Sequence, residues 1–395
     1  MKDRLLETKT IVGIPFYDGE SVEVLEACLQ NVDKCLNGLD IDAKIVVGVN
    51  GPNVSQGKQP LSYVIDRSKY NADIKFIKTP PGLVNATRTI AKQAEVEGHK
   101  RIFLTDADIS RFPLSLHNLW ENGDKQINGC NYSTYPIEIL IGSGLTFSKN
   151  EVAFMKVFEA DKHPLAREFT TQYRPIERLK GSLLLLDTDV VQAMYGYQNI
   201  TSDSRMNHII PKDARKAVDT ACFMHYARID IVDHLKARLR HFRAARATGD
   251  LQTFSKKSLI YEKKVADQIA NNILVKYPEA DEVASNFLLQ TALRYKVAEI
   301  CTNIALGNKH EFRPDNPHAE VDFVRPVKNF AEAYGRMSTF LNGIDWNCLN
   351  GAVSNGNGTT QNEQMIPIDL EPFLKSDKHR EVIFSHLGLG KDANV

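Results

Sequence analysis

Arg101-Ile-Phe-Leu-Thr-Asp-Ala-Asp108 is the stretch on which the fold turns. Ile102 to Thr105 form a short apolar and β-branched run, the signature of a buried strand rather than a helix. The run passes directly into two carboxylates one residue apart. Upstream, Ala86 to Glu97 has a helical pattern and Ile74-Lys-Phe-Ile77 is another short strand. Lys44-Ile-Val-Val-Gly-Val49 is a buried-strand run stopped by Asn50-Gly51-Pro52. Ser21 to Leu36 carries apolar residues at Val24, Leu25, Cys28, Leu29, Val32 and Leu36, close to a helical period, and Asn37-Gly38 follows as a helix stop. Thr10-Ile-Val-Gly-Ile14 opens the series, and Pro15 is expected to end it. Strands alternating with helices predict an α/β fold with a mostly parallel sheet and helices on both faces. Ligands of such sheets sit beyond the carboxyl ends of the strands. That topology lines up Pro15 to Asp18, Asn50-Gly51 and Asp106-Ala-Asp108 along one edge.

Beyond residue 142 the pattern is mixed. Ser182-Leu-Leu-Leu-Leu-Asp187 and Ala227-Arg-Ile-Asp-Ile-Val232 have the character of strands, and Asp213 to Tyr226 suggests a helix. From about 235 the chain turns helical, with helical spacing over Leu259 to Tyr277, Asp281 to Leu306 and Val321 to Leu341. Gly351 to Asn362 has the composition of a flexible loop. The expected division is a catalytic domain over 1–244 and a helical domain over 245–395.

The 395 residues suffice for about two domains. Lys plus Arg and Asp plus Glu both total 49, so net charge gives no argument for nucleic acid or membrane. No run approaches the ~18 consecutive apolar residues of a membrane span. The N-terminus carries acids and lacks the apolar core of a secretory signal. Six scattered cysteines without a CxxC pair suggest reduced thiols and a cytoplasmic protein.

Asp106 and Asp108 carry the sharpest chemical signal. Two carboxylates separated by one residue at a strand end can hold a hard divalent cation such as Mg2+ or Mn2+, which bridges them to a diphosphate. The plain alternative is a surface pair capping a helix. The carboxyl-edge position favours the metal reading.

The segments Ile14-Pro-Phe-Tyr17, Val47-Gly-Val-Asn50-Gly-Pro52 and Arg88 to Asp108 resemble the opening strands, the nucleotide-binding turn and the Asp-x-Asp approach of glycosyltransferases of type A fold. The likeness covers about residues 8 to 115. It is closest to family-two-like enzymes and to mannosylglycerate and glucosylglycerate phosphate synthases. Asp106-Ala-Asp108-Ile-Ser, Gly181-Ser-Leu-Leu-Leu185 and Val218-Asp219-Thr220 extend it. The resemblance implies a nucleotide-diphosphate sugar donor, Mn2+ or Mg2+ as cofactor, and donor contacts from Pro15, Tyr17, Asn50, Gly51, Arg88, Asp106, Gly181 and Arg240. It leans towards retention of configuration at the transferred sugar. Two departures stand out: Pro81-Gly82-Leu83 replaces a Gly-Lys turn, leaving Arg88 as the substitute cation, and Ser182 replaces a Glu.

Asp219 is the candidate second acid, as a general base on the acceptor hydroxyl or as an orienting group, while Asp108 completes the catalytic pair. Asp203 and Asp213 are its rivals. The resemblance also implies a histidine as third metal ligand, from His241 or His234; His225 is expected in the core. Lys236, Arg238, Arg240, Arg243 and Arg246 form a basic run that is either a solvated helix face or a clamp on the donor diphosphate or an anionic acceptor. Small molecules, glycans and a modified DNA base all stay open as acceptors. Tyr17 and Trp120 are expected to be structural, although either aromatic can stack on a base or sugar. The competing functions are a sugar-phosphate nucleotidyltransferase, whose Gly-rich basic loop is missing after the first strand, and a non-catalytic sugar-nucleotide-binding protein.

Overall fold

The computed structural model describes residues 9–307 with breaks, the longer ones at 52–64, 134–147, 195–209 and 226–237. The first four strands are β1 (Lys9–Tyr17), β2 (Asp42–Asn50), β3 (Ile74–Lys78) and β4 (Arg101–Thr105). With β6 (Ile127–Gly129), β8 (Leu183–Asp187) and β9 (Arg215–Ala217) they form one seven-stranded sheet in the order β3-β2-β1-β4-β8-β6-β9. β1 to β4 are mutually parallel, and β8 runs antiparallel to both β4 and β6. β9 is parallel to β6, so β8 alone among the seven runs against the rest. The expected α/β class with a mostly parallel sheet is thus observed.

Both faces of the sheet are covered, which explains why its central strands β1, β2, β4 and β8 are largely apolar runs. On one face α1 (Val22–Leu36) packs Leu25, Cys28, Leu29 and Val32 against Val12, Ile14, Ile45 and Val47. On the other face α2 (Leu83–Val96) sets Ile90, Ala91 and Ala94 against Ile11, Val46 and Leu104. α2 reaches that depth because two of the strand residues beneath it are glycines. A Cβ on Gly13 would stand 2.6 Å from Ile90 Cγ2, and one on Gly48 would stand 2.9 Å from Ile90 Cδ1.

Pro15 does not end β1, which continues to Tyr17. β1 is paired with β4 only through Gly13↔Leu104, so Pro15 lies where β1 has become an edge on that side. A residue without an N–H is tolerated there.

A second, smaller sheet has the order β5-β10-β7, from β5 (Ile109–Arg111), β7 (Tyr132–Ser133) and β10 (Cys222–His225). The helix expected over 213–226 is therefore absent: a short turn at Lys212–Ala214 leads into β9, and β10 follows. Pairing to distant strands decided the conformation of this segment.

The remaining helices are α3 (Ser115–Asn122), α4 (Lys149–Phe158), α5 (Pro164–Thr170), α6 (Thr188–Met194), α7 (Lys263–Lys276) and α8 (Asp281–Gly307). Ser148 and Glu151 close the start of α4 with a capping box. α7 and α8 match two of the expected helical segments, and Val321 to Leu341 and Gly351 to Asn362 lie outside the described residues. The helical layer also takes in chain from before residue 245. Phe154, Val157 and Phe158 of α4 pack with Phe242, Leu293 and Val297, whereas Val152 and Met155 of the same helix join the sheet core. Asp161, after α4, is tied to α8 by Gln290 Nε2 (2.7 Å) and Arg294 Nη2 (3.3 Å). No helix among the described residues is long and apolar enough to cross a membrane.

Candidate functional site

Parallel pairing brings the carboxyl ends of β1, β2, β3 and β4 to one edge of the large sheet. Tyr17, Asn50, Lys78 and Thr105 are the last residues of these strands.

The β1–β2 corner is closed by Asn50. Its Nδ2 donates to the Phe16 carbonyl at 2.9 Å, and its Oδ1 accepts from the Gly82 N–H at 3.3 Å. The buried amide thus ties β1 to the start of α2, and the Asp18 N–H donates to the Asn50 carbonyl at 2.8 Å. Gly51 follows with φ +132°, a region that side chains rarely adopt, and a Cβ there would stand 2.1 Å from Asp18 Oδ1. Asp18 is 7% exposed, while Tyr17 beside it is 36% exposed. Partial burial and the neighbouring carboxylates of Asp18 and Glu20 raise the Tyr17 phenol above its usual range, keeping it neutral. Pro15 is half-buried one turn of the pleat further in.

Arg88 is half-buried on α2, next to Thr87 and two residues from Ile90, both of which are buried. The N-terminus of α2 opens at this edge with Gly82 at the cap and no acid in its first turn.

Asp106 and Asp108 occupy the turn between β4 and β5 and are half-buried, with Ala107 buried between them. The chain leaves the large sheet and enters the small one at this turn. Because β8 runs antiparallel, it starts where β4 ends, and the Asp106 N–H donates to the Ser182 carbonyl at 3.0 Å. Thr105 Oγ1 donates to the same carbonyl at 3.1 Å. Gly181, half-buried in the turn before β8, is thereby brought to the acidic pair.

Arg111 lies fully buried behind the turn. Its Nη2 donates to the Asp106 carbonyl at 2.5 Å, its Nε to Thr105 Oγ1 at 2.8 Å, and its Nη1 to Asn31 Oδ1 at 3.1 Å and the Ile109 carbonyl at 3.2 Å. Burial raises the Cys28 thiol; the Arg111 guanidinium pulls it back, and Asp108 and Asp106 push it up again. The thiol therefore lies within electrostatic reach of both the guanidinium and the acidic pair. Neither Arg111 nor Asp18 stands out in the sequence. The signal for Arg111 was an arginine closing the short run Ile109-Ser-Arg111 directly after two aspartates.

The other expected site residues fall as follows. Asp219, Asp203, His234, Arg240, Lys236 and Arg243 lie outside the described residues. The flanks of Asp219 are described: it follows Val218 at the carboxyl end of β9 and precedes β10, which pairs with β5. Asp213 is exposed before the amino end of β9, at the sheet edge opposite the acidic turn. His225 pairs in register with Ile109, one residue after Asp108. His241 is half-buried beside Phe242, whose ring belongs to the helical cluster. Among the described residues no three of His, Cys, Asp and Glu gather as a metal-holding group, so Asp106, Asp108 and His241 do not form one there. In the basic run, Arg246 Nη1 donates to the Ala305 carbonyl in the last turn of α8, a favourable place for a cation. Arg238 stands close enough to Cys301 of α8 to lower its thiol, although burial outweighs it and pushes that group up to about 11. Trp120 is half-buried with its ring 6.0 Å from that of Phe103. Cys28, Cys35, Cys130 and Cys301 are buried free thiols.

No family model matches the sequence, and no curated protein matches it. Solved structures similar to the chain include S. aureus TarS 1-349 in complex with UDP-GlcNAc, at 13% identity and TM-score 0.36, covering 85% of this chain and 90% of that one. S. aureus TarS matches at 12% identity and TM-score 0.33 over 74% of this chain, which spans 55% of the length of that protein. The WbbM bifunctional glycosyltransferase matches at 12% identity and TM-score 0.32, covering 54% of this chain and 39% of that one.

Proposed function

We propose that this chain is a glycosyltransferase that takes a sugar from a nucleotide-diphosphate sugar and passes it to a hydroxyl acceptor, with Asp106 and Asp108 holding Mn2+ or Mg2+. The observation that carries the reading is the position of the acidic turn. It leaves central strand β4 at the carboxyl edge, on the same side as the ends of β1 and β2, where α/β sheets bind their ligands. The residues present fit a hard cation: two half-buried carboxylates one residue apart would offer it the oxygen ligands that Mg2+ or Mn2+ takes. When bound, the cation neutralises the charge that grows on the departing diphosphate.

The chain's own groups have distinct parts in this reading. Tyr17, exposed and neutral, offers a flat face beside the backbone of Asn50 and Gly51 for the nucleobase. Asn50 itself acts through its main chain, because its amide is engaged by Phe16 and Gly82. Pro15 shapes the same corner. Gly181 leaves backbone open near the acidic pair, and Arg88 and Arg240 are cations for the diphosphate. Asp219 is the acid that receives the acceptor proton or orients the hydroxyl; its approach from the carboxyl end of β9 supports it over Asp213. His234 is the imidazole candidate for the cation. The acceptor class, including an anionic molecule or a modified DNA base, is left to experiment.

The test is a screen of nucleotide sugars for hydrolysis or transfer, with and without Mn2+, on the wild type and on Asp106→Asn and Asp108→Asn. Both variants should keep the wild-type circular dichroism spectrum and lose turnover. Wild-type, metal-dependent turnover by either one removes the assignment. Pyrophosphate released from a nucleoside triphosphate and a sugar phosphate would instead mark a nucleotidyltransferase.

A further inference from the structure

We propose that Arg111 is the positioning residue of the acidic turn: its buried guanidinium sets the shape of Asp106-Ala107-Asp108 and acts as the turn's built-in counter-charge. The inference rests on the reading that this turn binds a divalent cation.

Arg111 heads the fully buried side chains of the described residues by volume. Moving a guanidinium out of water costs several kcal/mol even after relaxation. A methionine or leucine would fill similar space without that cost, so packing alone does not account for an arginine. The contacts account for it better. Hydrogen bonds join it to the end of β4, the turn, the start of β5 and helix α1, at Thr105, Asp106, Ile109, Asn31 and Cys28. A guanidinium spreads its donors over three nitrogens in a rigid planar fork, so it spans acceptors that lie too far apart for the single nitrogen of an ammonium.

Charge points the same way. Two carboxylates in one half-buried turn repel each other before any cation arrives. The guanidinium donates to the Asp106 carbonyl at 2.5 Å, which puts its charge beside the pair. Asn31 makes the arrangement depend on α1: it accepts from the Arg111 N–H at 2.8 Å, donates to the Arg111 carbonyl at 3.0 Å, and accepts from Nη1. A change in α1 is therefore relayed to the cation site through Arg111.

The test is electron paramagnetic resonance titration of Mn2+ into the full chain, comparing wild type, Asp106→Asn, Arg111→Lys and Asn31→Ser, with circular dichroism to confirm folding. Arg111→Lys keeps the charge and loses the fork, and Asn31→Ser leaves Arg111 in place and loosens it. Each should weaken Mn2+ binding about tenfold, the lower end of the effect of groups that orient metal ligands. Wild-type Mn2+ affinity in both folded variants overturns the inference and leaves the metal reading standing, provided Asp106→Asn loses binding. Unchanged Mn2+ binding by Asp106→Asn removes the metal reading and this inference with it. Should Arg111→Lys fail to fold, Asn31→Ser alone decides, because its side chain touches the turn only by way of Arg111 in the contacts described above.

Discussion

Replacing Gly51 by alanine separates the conformational demand of the β1–β2 corner from its chemical one, with Gly98 as the internal control. Both glycines have positive φ, +132° at Gly51 and +80° at Gly98. A Cβ on Gly98 meets nothing within 4 Å, so Gly98→Ala incurs backbone strain alone, about 1–2 kcal/mol. Gly51→Ala incurs strain of about 1–3 kcal/mol in a region almost reserved for glycine. It also incurs a collision: the new Cβ would lie 2.1 Å from Asp18 Oδ1 and 2.8 Å from Asp18 Cγ. The Asp18 carboxylate is too well buried to swing away freely, and forcing extra atoms into a packed place costs about 1–3 kcal/mol more. Gly51→Ala should therefore be the more destabilising change by about 1–3 kcal/mol, read as the difference in urea midpoints multiplied by a common slope.

Function should separate the two more sharply. Gly98 lies just beyond α2, at the amino edge of the sheet, away from the acidic turn. Gly51 adjoins Tyr17 and Asn50 at the carboxyl edge. Calorimetry with a nucleoside diphosphate and Mn2+ should show binding at least about tenfold weaker in Gly51→Ala, a loss of roughly 1.4 kcal/mol, and unchanged in Gly98→Ala. Equal destabilisation by the two changes would refute the steric argument. Unchanged nucleotide affinity in a folded Gly51→Ala would move the donor away from this corner.

Three further outcomes are expected. At the opposite sheet edge, burial pushes the Glu97 carboxyl up, but hydrogen bonds from Lys44, Lys75 and Gln93 outweigh it and carry the group from 4.5 down to about 2. That stabilisation is present above the unfolded value of 4.5 and lost as pH falls towards 2, so Glu97→Gln should flatten the acid limb of a stability–pH curve over that window; a limb as steep as wild type would contradict it. Arg294→Met removes an ion-pair partner of the Asp161 carboxylate, 1% exposed, and should destabilise the protein by about 3 kcal/mol in denaturant unfolding, with less than 1 kcal/mol as the opposing result. If His234 supplies the third metal ligand, His234→Ala should weaken Mn2+ binding about tenfold in the presence of nucleoside diphosphate, while His99→Ala, beside Glu97, should not; equal affinities would remove the role from His234.

Strands β1 to β4 and β8 of the large sheet are legible in the sequence because the central ones are buried on both faces, which writes them as apolar runs such as Lys44 to Val49; the short β6 and β9 carry no such signal. The carboxyl edge followed from alternation alone. Two errors share one cause. Pro15 reads as a stop, and 213–226 as a helix, because local sequence does not say where a neighbouring strand ends or which distant strand offers pairing. Gly13 and Gly48 could have been found, since a glycine inside a strand pattern signals close approach; the approaching residue is Ile90. Arg111 defied reading because arginine is the residue least expected inside, and its Asn31 partner is 80 positions away in sequence.

The acidic turn is held from three directions. β8 fixes it through the Ser182 carbonyl, α1 through Asn31 and Arg111, and the small sheet through the pairing of Ile109 with His225. These contacts run through the main chain of the turn and its flanks. Groups aimed in advance at developing charge need no reorganisation during reaction, which is where electrostatic catalysis gains most. For a leaving diphosphate the useful quantity is the placement of the carboxylates before donor arrives, more than their number. The turn therefore demands residues that never meet substrate, and a buried arginine that would be a poor choice for stability is a sensible one for holding two aspartates in place.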